Sequence, residues 1–262
     1  MWNYVEEGSG RPLILLHGIG MSHTVWKPVM PFLKNERRVI AFDTAGFGAT
    51  PPLEKGIIPT VANLVDALER CLKELSLDIP VDIAGNSLGG RMALEAAKRG
   101  LARSVVAISP PGLWKEHESA RVKHTFFGIR GAGRIFPRAT RAALRNRVLR
   151  GLMLAVPISL GSGRMPAEDA VGAIDDLVSA PGFEATFYNL KPFTGGQSIS
   201  IPITVAFGTR DWILLRSAQR REELPPHTRW LRPKGWGHVP MWVDPEGVAR
   251  LVSGDGEMVN GE

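Results

Sequence analysis

Short, unbroken apolar runs alternate along the chain with longer stretches in which apolar residues recur every three or four positions. Pro12–Leu16, Arg38–Phe42, Val81–Ala84 and Ser104–Ile108 are the short runs. Their length and continuity predict strands buried on both faces of a sheet. Residues 2–6 read as a further short strand that turns at Gly8-Ser9-Gly10. Between the runs, the spacing predicts helices over 24–33, over 60–75 and from Arg91 onward. The second of these carries Val61, Leu64, Val65, Leu68, Leu72 and Leu75 on one face. Strands alternating with amphipathic helices predict an α/β fold, a parallel sheet with helices on both sides. The rhythm breaks between 112 and 197, where the pattern stays helical and no apolar strand occurs. This segment, with an acidic-faced helix after Pro166, reads as a helical cap inserted into a core made of 1–111 and 198–262. The sheet resumes at Ile201–Phe207. A helix over 214–224, a strand at Thr228–Leu231 and a last helix opened by Pro245 follow.

Composition narrows the picture. The 262 residues are 44% hydrophobic and 22% charged, enough to bury one large core. Cys71 is the sole cysteine, which excludes an intramolecular disulfide and a cysteine-rich metal site. It sits in a helical pattern and reads as an inert, partly buried residue. The first residues lack a basic and an apolar stretch, and no apolar run reaches the roughly 18 residues that span a bilayer. The expectation is a soluble cytoplasmic protein with no stable membrane insertion. The polar, Gly-rich tail 253–262 is the one stretch expected to be disordered. The net charge of +6 owes much to arginines 130, 134, 138, 141, 145, 147 and 150. No nucleic-acid motif accompanies them, so nucleic acid is not expected as a partner. They read as a solvated helix face, with attraction of anionic substrates or a membrane surface as the other option.

Gly85-Asn86-Ser87-Leu88-Gly89 carries the chemistry. It lies between the Val81 strand and the Arg91 helix, so Ser87 stands at the tip of a strand–turn–helix. Ser87 as a helix N-cap is the alternative. The flanking glycines and the buried strand favour an exposed, strained nucleophile instead. An alcohol needs a base within hydrogen-bond reach, and the base needs a group that fixes its tautomer. In a parallel sheet both belong just past the C-terminal ends of strands. Asp211 follows the Ile203–Phe207 strand, and His238 follows the next one. The order Ser, Asp, His suits a nucleophile of this type. Among rivals, Asp43 reads as holding its own Gly46/Gly48 loop, and Asp244 as capping the last helix ahead of Pro245. His17 reads as structural at its turn. His23 has no motif around it, His117 and His124 lie in the cap, and His227 reads as exposed.

With these residues in place, the chain resembles the α/β-hydrolase fold superfamily over essentially its whole length. The matching elements are the His17-Gly18 turn, the Asp43-x-x-Gly46-x-Gly48 loop, the Ser87 elbow, the Gly208-x-x-Asp211 turn and the Gly237-His238-x-Pro240 loop. Asn86-Ser87-Leu88-Gly89-Gly90 resembles cofactor-free esterases, lactonases and carbon–carbon bond hydrolases. The resemblance implies Ser87 as nucleophile, His238 as base and acid, and Asp211 as its partner. It implies an oxyanion hole from the backbone N–H groups of Ile19 and Leu88, and no metal or organic cofactor. Trp26, Trp212 and Met153 are expected to line the substrate pocket, with Trp114, Trp236 and Trp242 as further aromatics. The cap residues Leu152, Leu154 and Val156 either line it too or pack on the core. The function expected first is hydrolysis of small to medium carboxylic esters. Lactone hydrolysis and carbon–carbon hydrolysis of ring-cleavage products use the same residues. Dehalogenase and epoxide hydrolase relatives carry aspartate where Ser87 stands, which disfavours both activities. A non-enzymatic small-molecule receptor is the alternative from another class.

Overall fold

The computed structural model describes residues 1–114 and 119–254. Among them, one sheet is formed by β1 (Tyr4–Glu7), β2 (Arg11–Leu16), β3 (Arg37–Phe42), β4 (Val81–Asn86), β5 (Ala102–Ile108), β6 (Ile203–Ala206) and β7 (Arg229–Leu231). The strand order is β1-β3-β2-β4-β5-β6-β7. Only β1 runs antiparallel, against β3. Every other neighbouring pair is parallel. After β2 the chain steps outward to β3, then crosses back over β2 to β4. The order therefore reverses between β2 and β4, and a crevice opens beyond their C-terminal ends.

The helices are α1 (Met30–Leu33), α2 (Val61–Glu74), α3 (Leu88–Lys98), α4 (Ser119–Ile135), α5 (Pro137–Arg145), α6 (Arg147–Leu154), α7 (Ala167–Ser179), α8 (Phe183–Tyr188) and α9 (Pro245–Ser253). Strand alternation divides the core in two. Ile14, Leu16, Ile40 and Phe42 pack with Leu64, Leu68, Met92 and Ala96 of α2 and α3. Leu13, Leu15, Val39 and Ala41 pack on the other side with Met30, Leu33, Val248 and Leu251 of α1 and α9. A strand covered on both faces has no polar side, which is why β2 reads as an unbroken apolar run. Thr60 caps α2 by accepting from the N–H of Asn63, and Asp244 caps α9 by accepting from that of Gly247.

Two expected helices are not formed. In place of a helix over 24–33 there is one 3-10 turn, His23–Trp26, followed by the single turn of α1. Pro28 and Pro31 lack the N–H groups that a continuous helix would need. In place of a helix over 214–224 there are two 3-10 turns, Arg216–Ala218 and Arg221–Glu223. Between them the N–H of Arg220 donates to Leu113 O (2.9 Å), a tertiary bond that a helix would forgo.

Between β5 and β6 the described residues form α4 to α8 and no strand. The N–H of Phe193 donates to Gly112 O (2.7 Å) and ties the start of this segment to the stretch after α8. The arginine run is divided in role. Arg130 is buried and donates to the carbonyls of Leu177 and Ala180, and Arg150 to those of Leu144, Arg145 and Gly163. Arg141 pairs with Asp175 and Arg134 with Glu184. Arg138, Arg145 and Arg147 are exposed. Among the described residues, no helix is long and apolar enough to cross a membrane. His117 and most of the tail, 255–262, lie outside the described residues.

Candidate active site

Ser87 links the end of β4 to the start of α3 with φ 50° and ψ −119°. A side chain at positive φ outside the left-handed helix well costs about 1–3 kcal/mol. Two bonds hold it there: Ser87 N–H donates to Ile108 O (2.8 Å), and Arg91 N–H donates to Ser87 O (3.0 Å). The turn closes because its flanks are glycine. A Cβ on Gly85 would lie 2.2 Å from the carbonyl carbon of Gly89, and one on Gly89 would lie 2.2 Å from Leu16 O.

His238 Nε2 lies 3.0 Å from Ser87 Oγ, and His238 Nδ1 lies 3.0 Å from Asp211 Oδ2. All three residues are buried. Asp211 Oδ1 accepts from the N–H groups of Ile213 and Leu214, both at 2.9 Å. Burial pushes the Asp211 carboxyl up. The imidazole of His238 and the N–H of Leu214 outweigh it and hold the group below its ordinary value. An ionised carboxylate only accepts, so it draws the Nδ1 proton toward itself and leaves Nε2 to accept from the serine hydroxyl. The histidine loop is clamped on both sides. Asn86 Nδ2 donates to His238 O (2.8 Å), Gly237 N–H donates to Ser159 Oγ (2.8 Å), and Val239 N–H donates to Ile158 O (2.9 Å).

The turn after β2 faces the same point. A Cβ on Gly18 would stand 3.2 Å from that of Ser87. Among the described residues, the N–H groups of Ile19 and Leu88 have no hydrogen-bond partner. His17 is fully buried behind them. Its Nε2 accepts from Thr44 N–H (2.9 Å), so Nδ1 donates to Gly18 O (2.7 Å). Burial drives its pKa down to about 4. Asp43 accepts from the Ala49 N–H inside its own loop, from the His23 N–H and ring, and from Asn3. Burial pushes its carboxyl up, but these bonds hold it well below the usual carboxylate range.

An apolar pocket opens over Ser87. Its walls are Ile19, Leu88, Pro111, Ile213 and Leu214, with Trp114, Val122, Phe126, Phe187 and Leu190 from the helical segment that follows Pro111. Outside it lies a cleft of about 350 Å³ that shares Trp114, Val122, Phe187 and Leu190 and adds Lys123, Tyr188 and Lys191. Trp26, Trp212 and Met153 do not line the pocket. Trp26 is 0% exposed and packs under β2 and β3 in the core. Asp211 Oδ1 holds the two N–H groups that turn Ile213 and Leu214 inward, and Trp212 between them and the carboxylate faces outward. Leu152 and Met153 of α6 and Val156 just beyond it face outward, while Leu154 packs inward. Trp114 does reach the pocket. Trp236 and Trp242 do not, and Trp236 Nε1 donates to Asp244. Sequence reasoning does not pick out the roles of Asn86 and Ser159. Asn86 had one signal, a polar residue at the end of a buried strand; a loop serine such as Ser159 has none.

The sequence pattern of the α/β hydrolase fold family matches residues 11–245. The epoxide hydrolase EphH of Mycobacterium tuberculosis is 31% identical over 202 residues, 73% of this chain and 92% of that protein. The 2-hydroxy-6-oxo-2,4-heptadienoate hydrolase of Pseudomonas putida is 43% identical over 100 residues, 37% of this chain and 36% of the relative. The structure of a thermophilic esterase from Thermogutta terrifontis superposes with a TM-score of 0.73 at 21% identity, covering 96% of this chain and 91% of that one. The chain belongs to the α/β hydrolase fold family.

Proposed function

We propose that the protein is a serine hydrolase of carboxylic esters with small to medium acyl chains, acting through an acyl-enzyme. The observation that carries this reading is the buried relay in which Ser87 Oγ, His238 and Asp211 stand 3.0 Å apart at each step. Ser87 attacks the ester carbonyl as His238 Nε2 takes its proton. Asp211 steadies the imidazolium that results. The N–H groups of Ile19 and Leu88 receive the developing oxyanion, each donor contributing about 3–4 kcal/mol. His238 then returns the proton to the leaving alcohol, and water, deprotonated by the same nitrogen, releases the acid. The segment 112–197 acts as a cap whose Trp114, Phe126 and Phe187 enclose the acyl chain. Similarity to an epoxide hydrolase does not favour epoxide opening here. Serine attack on an epoxide carbon would leave an ether, with no carbonyl for water to attack.

A second reading has one observation in its favour. Lys123 and Lys191 stand beside the outer cleft and would suit the carboxylate of a dienoate such as the Pseudomonas relative's name describes. Lactones would react through the same residues. The test is turnover of p-nitrophenyl butyrate together with covalent labelling by a fluorophosphonate. Both are expected in the wild type, with labelling abolished and turnover reduced at least ~10⁴-fold in Ser87→Ala. Undiminished labelling of that variant would overturn the assignment. Faster turnover of an oxo-dienoate or a lactone in a parallel assay would keep the residues and change the substrate.

A further inference from the structure

We propose that the outer face of α6 and the arginines at its start form a docking site for an anionic phospholipid surface. The helix is amphipathic with its polar side inward. Arg150 and Leu154 are buried, the guanidinium held by three backbone carbonyls. Val148 (69% exposed), Leu149, Leu152 (70% exposed), Met153 and, beyond the helix end, Val156 face solvent. At ~100° per residue these five side chains fall within about 140° of arc. They form one aliphatic stripe rather than scattered exposed residues. Arg147 opens the helix and Arg145 ends the preceding α5, which also carries Arg138; all three are exposed. Among the described residues none of the three has a carboxylate within ion-pair distance.

An aliphatic stripe with unpaired arginines near one end matches the acyl boundary and the phosphates of a lipid leaflet. A second copy of the chain fits less well, because a two-fold contact through this face would set arginines against arginines. An acidic protein partner fits less well too, since the stripe has no aromatic anchor of the kind that carries protein interfaces. The surface is separate from the Ser87 pocket, whose walls include no residue of α6.

The test is sedimentation of the full chain with vesicles of phosphatidylcholine alone, or with about a third phosphatidylglycerol. Binding is expected to the acidic vesicles and not to the neutral ones, and to weaken as salt rises from ~0.1 to ~0.5 M. Leu149→Ser with Leu152→Ser should lower it about tenfold. Arg145→Gln with Arg147→Gln should lower it more than tenfold, from roughly fivefold per basic residue. Unchanged melting temperature and circular dichroism would show that both variants fold. No binding to either vesicle, or binding that both double variants retain, overturns the proposal. So does a concentration-dependent dimer that the same substitutions dissolve in the absence of lipid.

Discussion

At Ser87 stability and chemistry pull in opposite directions. Its φ of 50° with ψ of −119° is a conformation open to glycine and costly for anything with a Cβ. In that conformation its hydroxyl stands 3.0 Å from His238 Nε2. Removing the hydroxyl and removing the strain are therefore separable. Ser87→Ala keeps the Cβ and the strain, whereas Ser87→Gly relieves about 1–3 kcal/mol of it. The glycine loses about 0.4–1 kcal/mol through the freedom it adds to the unfolded chain. The strain is the larger quantity, so Ser87→Gly is expected to be about 1 kcal/mol more stable than Ser87→Ala by urea denaturation. Both should be inactive. Equal stabilities would mean that the bonds to Ile108 and Arg91 hold the turn without strain. This residue was legible in the sequence because its requirements are local: a glycine two positions before it, one two positions after, and apolar residues on the strand side.

Elements were legible where their burial is set by their own pattern, and not where a distant contact sets it. The runs that became β2, β3, β4 and β5 are apolar on both faces, and only a central strand satisfies such a pattern. The stretch 24–33 has helical spacing, but its prolines stop the bond ladder. At 214–224 the bond from Arg220 to Leu113 competes with the helix. Periodicity shows that α6 has an apolar face, and says nothing of which way it turns; the orientation comes from Arg150 finding carbonyls inside. Ser159 marks the same boundary. It lies just beyond α6, fully buried, and accepts from the N–H beside His238. Ser159→Ala leaves the Gly237 N–H buried and unpaired, at a cost of about 1–3 kcal/mol. It also frees the imidazole to drift. The expected result is a lower melting temperature and kcat on a soluble ester reduced about ten- to a hundredfold, with KM little changed. Ser159→Thr, which keeps the acceptor, should restore much of kcat. A change confined to KM would place Ser159 with the pocket walls instead.

For the whole molecule, the buried titratable groups point to acid as the condition under which the fold loosens. His17 lies between the sheet and the turn that carries Ile19. Burial lowers its pKa from 6.5 to about 4. Between those values the unfolded chain binds a proton that the folded chain refuses, so stability falls as pH drops through that interval. A shift of this size corresponds to about 3 kcal/mol. Asp43 and Asp82 act in the same direction at lower pH. Burial raises each, but their hydrogen bonds, and for Asp82 the charges of Arg37 and Arg11, leave both below the usual carboxylate range. Their contribution is lost as pH falls through the folded-state values. His23 opposes them. Its bond to Asp43 Oδ1 raises its pKa, so its contribution is full below 6.5 and lost as pH rises through the folded value. His17 has no such partner charge in contact and is the largest resolved histidine shift, so it should dominate between pH 6.5 and 4. Urea denaturation across that range should show stability falling steeply in the wild type. In His17→Gln, whose amide can still meet Thr44 N–H and Gly18 O, stability at pH 7 should be lower and its pH dependence flatter by up to ~3 kcal/mol. If the two curves run parallel, the acid sensitivity belongs to the carboxylates, and the turn behind Ser87 is not what gives way first.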